Sequence, residues 1–134
     1  MGFHTSLAVV DGCPAISYQQ GADNYNLKYA RATTSTGASA SDWTQIIVES
    51  AGNTGFHTSL AVIDGCPAIS YRYSSSNTLK FAQATTSTGG SGGDWSEVTT
   101  VDSSCVGYTS LAEVDGRPAI SYVAGNSLKY AIYF

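Results

Sequence analysis

Apolar and polar positions alternate along this chain in short runs broken by turn residues. In the run Pro14-Ala15-Ile16-Ser17-Tyr18, Ile16 and Tyr18 fall on one side of an extended strand and Ala15 and Ser17 on the other. A solvated face would carry charges, whereas this one carries small residues that accept the bulky face of a neighbouring sheet. Both faces are therefore expected to be packed. The dipeptides Asp11-Gly12, Asp64-Gly65 and Asp115-Gly116 each stand between two such runs. They predict two-residue hairpins, because a type I′ turn needs positive φ at both central residues. Pro14, Pro67 and Pro118 open the second runs, and a strand start tolerates a residue without an N–H.

These runs belong to one repeated unit. GFHTSLAVVDGCPAISY at 2–18 returns at 55–71 and, as GYTSLAEVDGRPAISY, at 107–122. NLKYARATTSTG at 26–37 matches residues 78–89 and, shortened, 127–134, while DWTQIIVES at 42–50 matches 94–102. Equivalent threonines, Thr5, Thr58 and Thr109, are 53 and then 51 residues apart. A period of this length with several strands per unit is typical of propellers. Each unit reads as four strands in an antiparallel meander, the fourth led by Trp43 or Trp95 and reached through a flexible Thr-Ser-Gly loop. The prediction is an all-β single repeat domain over 1–134, with units at 2–54, 55–105 and 106–134, the last with three strands. These are three propeller-like blades, expected to be completed to a six-bladed ring by a homodimer. A β-trefoil, also built of three units, is the competing architecture.

The string SLAVxDGxPAISY…LKYA…W resembles a family of bacterial tandem repeats that are taken to be propeller blades and carry no assigned chemistry. More distantly, the order of strand, aromatic strand, glycine loop and Trp is similar to small fucose-binding propeller lectins, in which short chains assemble six-bladed rings. The resemblance implies a bacterial origin and an assembled ring. No Arg-Glu-Trp set recurs, so the lectins' sugar ligands are not carried over.

Composition narrows the partners. Charged residues make up only 12% of the 134 residues, and the formal charge is −4. The six basic residues are scattered, which argues against a nucleic-acid partner. No apolar run approaches the roughly 20 residues that span a bilayer, so no membrane partner is expected. Met1 leads directly into a strand-like segment without the regions of a signal peptide, and the compartment stays open. Cys13, Cys66 and Cys105 are odd in number and read as small, partly buried thiols. No metal-ligand spacing is present, and no cofactor is expected.

Candidate chemistry follows the repeat. His4 and His57 are equivalent, with Tyr108 in the third unit; each reads as a ligand-contacting side chain or as a cap at a strand start. Lys28, Lys80 and Lys129 sit between apolar neighbours and are expected to pair with a carboxylate on the next blade. Asp11, Asp64 and Asp115 are accounted for by turn chemistry, and Asp42 and Asp94 read as loop acceptors. The recurring serines lack an identifiable base and orienting acid, so no nucleophile is assigned. Trp43, Trp95, Tyr25, Tyr73 and Arg72 are candidate binding residues, since aromatic faces stack on sugars or peptides and variable loops on a fixed scaffold carry binding. The expected function is a non-catalytic binding or interaction module, with carbohydrate as the leading ligand class. The alternatives are a structural or protein-interaction repeat from a longer array, and a sialidase-like glycosidase whose carboxylate cluster is not visible.

Overall fold

The computed structural model describes residues 1–132 and 134, without the side chain of Val106. Eleven antiparallel strands form three separate sheets. The first holds β1 (Gly2–Val10), β2 (Cys13–Gln20), β3 (Leu27–Ala32) and β4 (Trp43–Glu49). The second repeats it with β5 (Phe56–Ile63), β6 (Cys66–Tyr73), β7 (Thr78–Gln83) and β8 (Glu97–Asp102). The third holds β9 (Cys105–Val114), β10 (Arg117–Ala124) and β11 (Ser127–Ile132). In each sheet the strand order follows the chain, as a meander requires. Strands pair only within their own sheet among the described residues, so no barrel closes and the trefoil alternative falls away.

The turns behave as their residues demand. Asp11 and Gly12 have φ of 46° and 74°, and the other two Asp-Gly pairs repeat these values closely. The loop before the fourth strand is not the flexible connector its composition suggests. Thr34 Oγ1 and the Ser39 amide both donate to the Asp42 carboxylate, and Thr86 and Ser91 do the same to Asp94. The indole N–H of Trp43 donates to the Gly37 carbonyl and that of Trp95 to Gly89. Trp43 opens β4, whereas Trp95 ends a short 3-10 turn (Gly92–Trp95) ahead of β8.

The sheets stack so that β1 lies beside β5 and β5 beside β9. The two faces of the repeated second strand then have distinct neighbours. Ser17 Oγ donates to Thr58 Oγ1 of the second sheet at 2.8 Å, and Ser70 meets Thr109 of the third at the same distance. Ile69 and Tyr71 are buried against the first sheet, and Ile120 and Tyr122 against the second. Two-sided packing, as the alternation of Ile and Tyr with Ala and Ser predicts, is met in full in the middle sheet.

The lysines are clamped by the sheet before their own rather than the one after. Lys80 Nζ lies 2.5 Å from Glu49 at the end of β4, and Lys129 Nζ lies 3.1 Å from Asp102 at the end of β8. Tyr71 and Tyr122 donate to the same two acids at 2.7 and 2.6 Å. Hydroxyl donors from Ser104 and Tyr122, with Lys129, hold the Asp102 carboxyl well below the usual range. Burial and the bond to that acid push the Tyr122 phenol up to about 12. Lys28, in the first sheet, makes no ion pair among the described residues. Its neighbour Tyr18 donates instead to Gln45 within its own sheet, at 2.7 Å.

Candidate functional site

The first two units carry one more residue before the shared Thr-Ser-Leu than the third, Phe-His against Tyr. That residue becomes a β-bulge. The register of β1 on β2 shifts between Phe3 and Ser6, and that of β5 on β6 between Phe56 and Ser59. At each bulge the histidine takes a left-handed backbone, with φ of 53° at His4 and 52° at His57. A residue other than Gly held there costs on the order of 1–3 kcal/mol, and such strain clusters at functional positions.

The bulges re-aim the imidazoles into a ladder of rings that climbs across the three sheets. His4 and His57 have centroids 4.6 Å apart, and His57 and Tyr108 4.1 Å. Phe56 packs beside His4 at 5.2 Å, and Tyr25 stacks on Phe56 at 6.5 Å. His4, His57 and Tyr108, with Thr5, Thr58 and Thr109, line a hollow of about 150 Å³. Thr58 and Thr109 donate to the carbonyls of His4 and His57, which fixes the bulged backbone from the neighbouring sheet.

Burial lowers the pKa of both imidazoles. His57 is lowered further by His4 and by Arg72. Both rings are therefore neutral at pH 7, each with one donor and one acceptor nitrogen. His57 Nδ1 is buried with no hydrogen-bond partner, and so is Arg72 Nε. An unpaired buried nitrogen is costly unless a further group meets it.

Of the seven candidate residues, the structure brings His4 and His57 into this hollow, and Arg72 close enough to act on His57. The Arg72 guanidinium donates to the Asn77 side chain. Tyr25 is partly exposed and borders a second, more polar hollow with Asn24 and Asn53. Tyr73 lies under Lys80 Nζ, 4.7 Å from its ring centroid. Trp95 is 3% exposed and packed against Tyr29, with centroids 5.0 Å apart, so it holds two sheets together and offers no open face. Trp43 is half-buried over its own loop. Phe56 is not among the candidate residues, and the three threonines entered only as markers of the repeat, although the one-residue length difference between units marks the place. Cys13 and Cys66 are half-buried free thiols and Cys105 is a buried one. Among the described residues, no cluster of three or more His, Cys, Asp or Glu side chains could hold a metal. Among the described residues, no helix is long and apolar enough to cross a membrane.

Comparison with known proteins returned no matching family model, no matching curated protein and no matching solved structure.

Proposed function

We propose that the chain is a non-catalytic binding module built of propeller-like blades, and that it takes a small, neutral, polyhydroxylated ligand in the ring-lined hollow. The ladder of His4, His57 and Tyr108 rings around the hollow, with both imidazoles held on strained bulges, carries this reading. Sugar rings present apolar C–H faces that stack on aromatic side chains and hydroxyls that meet neutral imidazoles and phenols. The hollow is smaller than the roughly 300–1,000 Å³ of sites for drug-sized molecules, which suits one sugar residue of a longer glycan. The bacterial blade-repeat family that the motif resembles belongs to the same proposal. Among the described residues, those lining the hollow include no carboxylate that could serve glycosidic bond cleavage.

A glycan array of neutral hexoses and their oligomers, followed by calorimetry on the best binder, tests the proposal. Saturable binding is expected, with the glycan recovered unhydrolysed. His57→Ala and Tyr108→Ala should each weaken it at least tenfold, and Trp95→Phe should leave it unchanged. A histidine with a lowered pKa protonates only below its ordinary value, so affinity should hold at pH 7 and fall as the pH drops through that lowered pKa. Absence of binding to every glycan, or binding indifferent to both substitutions, would refute it.

A further inference from the structure

We propose that a second copy of this chain docks head to tail on the first, seating its Leu7 on the open face of the third sheet. The two junctions inside the chain define what such a seat looks like. At the first, the Leu60 amide donates to Ser6 Oγ at 3.0 Å, and at the second the Leu111 amide donates to Ser59 Oγ at 2.9 Å. A hydroxyl pair flanks each, Ser17 with Thr58 and Ser70 with Thr109. The incoming leucines are 6% and 7% exposed.

The two ends of the stack hold the separate halves of this arrangement. On β1, Leu7 occupies the position of Leu60 and Leu111 and is 70% exposed. Thr5, the counterpart of Thr58 and Thr109, stands beside it. On the third sheet, Ser110 and Ser121 occupy the positions of Ser59 and Ser70, and with Leu128 they line a shallow hollow of about 130 Å³. Leu128 is 80% exposed, whereas its counterparts Leu27 and Leu79 are fully buried. Tyr130, the counterpart of Tyr29, is also exposed. Apolar faces of this kind mark interaction sites, and here each half fits the other because both derive from one repeat.

The tyrosine hydroxyl fits the same arrangement. Inside the chain, Tyr71 and Tyr122 need an acid from the sheet before them. Tyr18, on the incoming face, satisfies its hydroxyl within its own sheet through Gln45. It can therefore dock on a sheet whose described residues present no such acid at the matching place, as those of β9–β11 do. A head-to-tail contact is heterologous and must close or polymerise. Closure rests on the blade reading above: propellers have about four to eight blades, and six is the only multiple of three in that range. Two copies then close the ring. The ring ladder becomes continuous only in this assembly, because Tyr108 of each copy meets the His4 of the other.

Sedimentation equilibrium of the full 134-residue chain should give twice 14.0 kDa. Leu7→Asp and Leu128→Asp, both at exposed positions, should retain the strand signature in circular dichroism. Each alone should lose the closed dimer, because both junctions of the ring are spoiled. An equimolar mixture of the two variants should recover a heterodimer through its one intact junction. A wild-type monomer at the highest soluble concentration, an open polymer, or a dimer that survives either substitution would overturn the proposal. A dimer that binds no glycan would leave it standing and count only against the ligand reading.

Discussion

Glu49→Ala should lower the unfolding free energy by about 2–4 kcal/mol, the largest loss expected from any single charge in the chain. Breaking a buried ion pair by removing one partner leaves the other charge desolvated and costs about 3–5 kcal/mol. Both side chains here keep a little solvent access, 13% for Glu49 and 17% for Lys80, which trims that figure. The acid also accepts from Thr54 at 2.9 Å and Tyr71 at 2.7 Å, so its removal orphans two neutral donors besides the ammonium. Glu49→Gln keeps an acceptor for Tyr71 and should cost roughly half as much. Asp102→Ala should cost less than Glu49→Ala, because Lys129 is 44% exposed and water can replace its partner. Chemical denaturation with a common slope for all variants measures this order.

Trp95→Ala should be comparably damaging, at about 3–5 kcal/mol, through a different cause. The indole is almost fully buried between Tyr29 of the first sheet and its own loop, and truncating a buried aromatic leaves a cavity. It also abandons the Gly89 carbonyl. Gly89 itself has φ of 58° and lies so close to the indole that a Cβ there would sit 2.9 Å from the ring, so the loop is shaped around Trp95. Trp95→Phe retains most of the packing and loses the hydrogen bond, and should cost about 1 kcal/mol beyond the lost ring volume. Thermal unfolding of the three proteins separates the two contributions. A Trp95→Phe loss as large as that of Trp95→Ala would place the indole N–H, not the packing, in control.

Much of the architecture was legible because each strand and turn repeats its own local signal. Asp-Gly needs positive φ wherever it occurs, and small residues alternating with Ile and Tyr require neighbours on both faces. The pairing of lysines with acids was legible in kind but not in direction, since the strand pattern does not say which sheet lies on which side. The ring ladder was harder to see. It depends on bulges that rotate His4 and His57 out of the alternation, and a period-two reading has no place for an unpaired residue. The tying of the Thr-Ser-Gly loop was hidden because Thr34 and Ser39 look like solvated linker residues until Asp42 gathers them. The burial of Trp95 depends on the second sheet having a sheet before it, a property of position in the stack that its own unit does not carry.

The repeats stack face to face, each sheet's second strand meeting the first strand of the sheet that follows. Ser17 and Thr58 are 41 residues apart in the chain, and their hydroxyls meet at 2.8 Å, so cysteines at the two positions would carry their sulfurs toward each other. With Cys13, Cys66 and Cys105 replaced, the pair Ser17→Cys and Thr58→Cys should oxidise in air to one intramolecular disulfide. The pair Ser17→Cys and Thr109→Cys should stay reduced, because Thr109 meets Ser70 instead. Free thiols in the first protein, or equal oxidation of both, would contradict the stacked arrangement.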